Sequence, residues 1–173
     1  MTILLPQLPV ELWLRIFEDV GDPDLWLSVR NVSRIFRGCV EDIAKTQIIR
    51  CFSISTTVSL GSGTQHRWYD VRGTIKLDFK EVLQHSPQLA DFEIAAFRPD
   101  VFAQRVAEEW NRICANGIDQ GLIWNITMTD GTGAAMPVSG SIPDCVVSKD
   151  HNLRCDWRLL LCSYFARTLK ADE

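Results

Sequence analysis

Residues 8–40 read LPVELWLRIFEDVGDPDLWLSVRNVSRIFRGCV. Leu12, Ile16 and Val20 recur at every fourth position, with Trp13 and Phe17 beside them. This broad apolar stripe predicts a helix from about Pro9 to Asp19. Pro9 suits the first turn, where its missing N–H would have no partner anyway. Glu11 adds favourable charge near the helix start, and Gly21 stops the helix. Asp22 can cap a second helix with Pro23 in its first position, and Leu25, Trp26, Val29 and Val32 form its apolar face. Either Asn31 or Ser33 can cap a third helix, whose face is Phe36, Cys39, Val40 and Ile43. Three short helices in about forty residues make a bundle too small for a robust core, so it must lean on the rest of the chain or on a partner.

Beyond Ile49 the apolar period falls from four to two. Cys51 to Leu60 reads as a strand, Gly61-Ser62-Gly63 as a turn, and His66 to Val71 and Gly73 to Phe79 as two further strands. Ile75, Leu77 and Phe79 alternate with Thr74, Lys76 and Asp78, the cleanest half-buried strand pattern in the chain. Gly73 would be a bulge or a tight bend in one long strand. Lys80 to His85 reads as a short helical turn stopped by Ser86-Pro87, and Leu89 to Phe97 as a strand. Phe102, Val106, Trp110 and Ile113 place an amphipathic helix between Pro99 and Asn116-Gly117. Leu122 to Thr129 alternates as a strand, the Gly-, Ala- and Pro-rich stretch from Asp130 to Ser141 reads as a mobile loop, and Ile142 to Lys149 as a last strand. Asp156 caps a final helix carrying Trp157, Leu160, Leu161, Tyr164, Phe165 and Leu169. The fold class expected is α+β, with helical residues 5–48 followed by a sheet-rich region over residues 50–173 in which an antiparallel sheet packs on the 99–115 helix and the final helix. No repeat of 20 to 50 residues appears.

Composition sets the outer bounds. With 173 residues, 46% of them apolar and 23% charged, the chain has globular proportions and enough length to bury a core without metal or disulfide. The net charge is −4 and no run of five basic residues occurs, which argues against a nucleic-acid partner. Neither a basic leader at Met1–Pro9 nor a membrane-length apolar run is present, so the expectation is no membrane partner and a cytoplasmic or nuclear location. Cys39, Cys51, Cys114, Cys145, Cys155 and Cys162 lack the spacing of a secreted disulfide framework. With no secretory signal, Asn31-Val32-Ser33 and Asn125-Ile126-Thr127 read as chance glycosylation matches.

The residues that catalysis needs are not grouped. His66, His85 and His151 are far apart, and His151 with Cys155 and Cys162 lacks the paired spacing and fourth ligand of a structural zinc site. Asp19, Asp22 and Asp24 lack the Gly and Glu of a calcium loop, and neither Gly61-Ser62-Gly63 nor Gly131-Thr132-Gly133 is followed by the Lys of a phosphate loop. The expectation is a protein that is not an enzyme and carries no cofactor and no metal.

The N-terminal stretch resembles an F-box. Leu8, Pro9, Glu11 and Leu12 match the family's Leu-Pro-x-Glu opening, Ile16 and Phe17 the end of its first helix, and Asp24, Leu25 and Leu27 its second. Val32, Ser33, Arg34, Phe36 and Arg37 match the start of its third, with Ser33 for the frequent Cys and Phe36 for the frequent Trp. The match covers about the first quarter of the chain, and it is the ordered set that carries it. His66 to Gly73 and the strand after it look, more loosely, like the C-terminal region of some fungal F-box proteins of unassigned substrate. The resemblance implies a Skp-type adaptor as partner, a cullin-RING ligase joined through it, and an unknown protein substrate held by the C-terminal region. An F-box protein acting with the adaptor outside any ligase is the alternative. The adaptor contacts it implies are Leu8, Pro9, Glu11, Leu12, Ile16, Phe17, Leu25, Leu27, Val32, Ser33 and Phe36, across an interface of about 1,200 to 2,000 Å².

Overall fold

The computed structural model describes residues 8–62, 70–118, 122–129 and 135–171. Three helices, α1 (Val10–Glu18), α2 (Asp22–Leu27) and α3 (Arg34–Ile43), come first, with a 3₁₀ turn at Val29–Asn31 between the second and third. A π-helical turn (Ala44–Ile48) and a 3₁₀ turn (Ile49–Cys51) lead into the sheet. Its strands are β1 (Phe52–Ser62), β2 (Asp70–Val82), β3 (Leu89–Arg98), β4 (Trp124–Thr129), β5 (Ala135–Gly140), β6 (Val146–Val147) and β7 (Leu153–Asp156). Helix α4 (Ala103–Asn116) separates β3 from β4, and α5 (Trp157–Ala171) follows β7. The strands form one curled antiparallel sheet in the order β5-β4-β1-β2-β3-β7-β6. The architecture is α+β.

The alternation in β1 orients the sheet. Phe52, Ile54, Thr56 and Val58 are buried, while Ser53, Ser55, Thr57 and Ser59 lie on the other face. Register carries the same division into the neighbours, with Ile54 opposite Leu77 and Ile126, and Ser55 opposite Lys76 and Asn125. Both long helices cover the apolar face. Trp110 of α4 meets Trp124 edge-on at 6.4 Å, and Phe52 meets Tyr164 of α5 at 4.9 Å. The buried hydroxyl of Thr56 donates to the Ile123 carbonyl at 2.9 Å, so this polar group on the apolar face is satisfied.

Several local expectations are corrected. Gly21 occupies the cap position of α2, and Asp22 makes no capping bond. Gly73 is neither bulge nor bend: β2 runs straight through it, paired with Val58, and a Cβ there would overlap the Val106 side chain of α4. Glycine is required by the close approach of helix to sheet. Gly61 and Ser62 belong to β1, at a register irregularity between Ser59 and Ser62 where Gly61 takes φ +79°. Gly63 and residues 66–69 of the expected second strand lie outside the described residues. Lys80 to Val82 continue β2, and the chain then turns at Leu83–Ser86, where the Ser86 N–H donates to the Leu83 carbonyl at 3.2 Å.

Pro99 opens a 3₁₀ turn, Asp100–Phe102, and α4 begins after it. The expected loop from Asp130 to Ser141 contains β5, with residues 130–134 outside the described residues; Pro137 is tolerated because β5 is an edge strand. The last strand expected at Ile142–Lys149 shrinks to Val146–Val147, and Leu153–Asp156, unread in the sequence, pairs with Leu89–Phe92. Leu169 is exposed. The caps at Ser33 and Asp156 are present: Ser33 Oγ accepts from the Phe36 N–H at 3.1 Å, and Asp156 Oδ1 from the N–H groups of Arg158 and Leu159 at 2.8 and 3.2 Å.

Candidate protein-binding face

Helix α1 carries more apolar residues than one buried face can absorb. Trp13 and Phe17, one turn apart, reach α3: Trp13 lies 4.6 Å from Phe36, and Phe17 meets the same ring edge-on at 5.1 Å. Leu12 and Ile16, also one turn apart, lie about 100° around the helix from that pair, and each is 44% exposed. Leu8 and Val10, at the helix entry, are exposed as well. Across the α1–α3 contact, Val32 is 68% and Ile35 56% exposed. Six large apolar side chains thus remain open to solvent on α1, on α3 and on the residues just before them, and the two helices pack together. Exposed charges, among them Glu11, Arg15, Arg34 and Arg37, are interspersed with them.

The opposite side of the same helices is fastened to α5. Trp26 stands 5.8 Å from Trp157, and its indole N–H donates to Cys162 Sγ at 3.2 Å. The Arg30 guanidinium lies 4.4 Å from the Trp26 ring centre and binds Glu41 at 2.7 Å. The other oxygen of Glu41 binds Arg158 at 2.9 Å, and Arg158 in turn lies 5.2 Å from the Trp157 ring. The chain of contacts closes on itself, with one carboxylate between two guanidiniums and each guanidinium on an indole. Asp22, at the start of α2, is partly desolvated, and burial pushes its carboxyl above the usual range.

The contact residues expected from the sequence divide accordingly. Leu8, Pro9, Glu11, Leu12, Ile16, Val32 and Ser33 are exposed, and Leu27 and Phe36 are half-buried. Phe17 and Leu25 are core residues, 3% and 1% exposed, which hold the helices from beneath and offer no surface. Val10 and Ile35 were not singled out in the sequence. The signal that identifies them is an apolar residue off the buried stripe of a helix whose stripe is already filled.

Among the described residues no group of three or more His, Cys, Asp or Glu side chains is placed to hold a metal ion. No helix among them is long and apolar enough to cross a membrane. Comparison of the chain with protein-family models, curated proteins and solved structures finds no match.

Proposed function

We propose that this chain is a non-catalytic recruiting subunit of a Skp–cullin–F-box ubiquitin ligase, with its N-terminal helices seated on a Skp-type adaptor and its C-terminal region holding a protein substrate. The observation that carries the reading is the coincidence of two sets. Leu8, Leu12, Ile16 and Val32 match apolar positions of the F-box pattern, and the same four are among the large apolar residues left in water. Open apolar residues grouped on adjoining elements mark an interaction surface, and such side chains serve as anchors when a partner covers them.

Co-expression with a Skp-type adaptor is expected to yield a stable complex, and cullin in the purified assembly separates a ligase subunit from an adaptor-bound module acting alone. The sharper test is Ile16→Asp. A carboxylate forced into an apolar interface costs several kcal/mol, or a thousandfold or more in affinity at about 1.4 kcal/mol per tenfold. Free in solution the variant should stay folded, since Ile16 is solvent-facing. Asp22→Ala should keep most of the affinity. Titration calorimetry with circular dichroism reads both variants. An Ile16→Asp protein that keeps its helical signal and binds the adaptor within threefold of the parent removes the proposal.

A further inference from the structure

Strands β6 and β7 bring together two cysteines that the sequence separates by ten positions. Their register sets Val147 opposite Leu153 and Val146 opposite Arg154. Continued by one residue, it sets Cys145 opposite Cys155. The hydrogen-bond pattern gives the kind of pair. The Ser148 N–H donates to the Asn152 carbonyl at 2.8 Å and the Asn152 N–H to Ser148 Oγ at 3.2 Å, so these two residues stand at a hydrogen-bonding position of the ladder. In an antiparallel ladder the pair types alternate. Val147–Leu153 is then non-hydrogen-bonded, Val146–Arg154 hydrogen-bonded, and Cys145–Cys155 non-hydrogen-bonded again. That is the type with Cα atoms about 4.5 Å apart and side chains closest together, within the Cα range that a disulfide spans.

Facing agrees with register. Leu153 and Cys155 are buried, with Arg154 and Asp156 on the opposite face, and across the ladder Val147 and Cys145 are half-buried while Val146 between them is exposed. The two thiols therefore lie on one face of the sheet. They also sense each other: burial raises the Cys155 thiol well above its usual range, and nearby Cys145 adds to the rise. Cys145, itself raised mainly by burial, borders an open cleft lined by Ile118, Leu122, Trp124 and Ile142 and is the accessible member of the pair.

We propose that Cys145 and Cys155 form a reversible cross-strand disulfide when the protein meets a small-molecule disulfide such as oxidised glutathione. The Cys145 thiolate attacks one sulfur of glutathione disulfide, the S–S bond breaks, and one glutathione leaves as thiolate. The Cys155 thiolate then attacks the Cys145 sulfur and expels the second glutathione. Two protein thiols lose two electrons and two protons, and one glutathione disulfide becomes two glutathiones. Because both thiols are hard to ionise in the fold, the reaction quickens as pH rises. The bond ties the residue before the edge strand β6, on the rim of the cleft, to β7 and through β7 to β3. Cys51 is exposed on the turn before β1, with Met128 and Asp78 paired to the first two residues of that strand. It has no cysteine opposite it and serves as an internal control that should stop at the mixed disulfide.

The test uses the full chain in its native state. It is incubated with oxidised glutathione at pH 8, quenched with N-ethylmaleimide, and digested with trypsin under non-reducing conditions. Cleavage after Lys149 and Arg154 separates the two cysteines, so the bond appears as a cross-linked peptide pair lighter by two hydrogens than its parts, and fragmentation of the 113–149 peptide, which also holds Cys114, places it on Cys145. The pair should vanish on reduction, and the oxidised protein should unfold at a higher temperature than the reduced one. In Cys145→Ser the cross-link should be absent and Cys155 should stay a free thiol while Cys51 is still modified. The Cys145 side chain is half-exposed, so this variant folds even if Cys155→Ser does not. Stable glutathione on Cys145 beside a free Cys155, or a Cys145 cross-link to any other cysteine, overturns the proposal.

Discussion

The inner and outer sides of the N-terminal helices both carry large apolar residues, yet the molecule treats them differently. On the inner side Leu25, Trp26, Val40 and Ile43 are sealed into a core that continues through Trp157 into the sheet. On the outer side Leu12, Ile16, Val32 and Ile35 stay in water. The sheet shows that such exposure is not this chain's habit. On β1, β2 and β4 its open face carries Ser53, Ser55, Thr57, Lys76, Asp78, Asn125 and Thr127, all polar, while the apolar exceptions on that face, Ala96, Pro137 and Val146, lie on β3, β5 and β6. Six of the eleven large apolar residues exposed among the described residues fall between Leu8 and Ile35, and the other five are spread from Val101 to Leu169. A grouping of that kind marks a candidate interaction surface, whereas scattered exposure calls for no explanation.

The difference can be attacked from its strong side first. Trp26→Ala removes a ring buried against Trp157 and its bond to Cys162. Truncations of this kind cost about 3–5 kcal/mol, and the loss should appear in one cooperative denaturant transition that takes the sheet down with the helices. A variant whose sheet melts at the parental midpoint would mean that the inner side is not fastened as described.

Glu41→Gln comes next. It leaves Arg30 and Arg158 facing each other without the carboxylate between them, in a place only partly open to water. Hydrogen bonds to charged groups contribute about 1.5–3 kcal/mol each, and solvent access at Glu41 should hold the loss near the lower end of that range. Chemical denaturation at two ionic strengths checks it.

Val32→Ser should have the smallest effect. On a surface that nothing covers, the change stays within about 0.5 kcal/mol, despite removing a branched apolar side chain. If it costs as much as Trp26→Ala, the outer side is as much a core as the inner one, and the contrast fails.

Much of the framework is legible along the chain. Ser33 and Asp156 read as caps because their side chains need only the N–H groups two or three residues on. The alternation through Ile75 and Leu77, and the four-residue spacing through Val106 and Trp110, report burial because helix and strand geometry turn spacing into facing. Strand β7 escaped notice because four residues, LRCD, carry too little period, and they are ordered by pairing with residues about sixty positions away. Strand β5 escaped because its Gly, Ala and Pro composition describes a loop, and only its place at the sheet edge makes Pro137 acceptable.

The sequence by itself determined where the helices and most strands lie, which face of those strands is apolar, and that residues 8–40 hold more apolar surface than three short helices can bury. These are local properties, set by propensity and period within a few residues. Tertiary structure alone decided how that surplus is divided. Leu25 and Val32 read as members of one apolar face, but Leu25 is sealed into the core on the side where α2 meets α5, and nothing among the described residues covers Val32. The same holds for Cys145 and Cys155, whose juxtaposition depends on a ladder register and not on their spacing. Burial and pairing depend on which element arrives at a given face, and that element comes from a distant part of the chain.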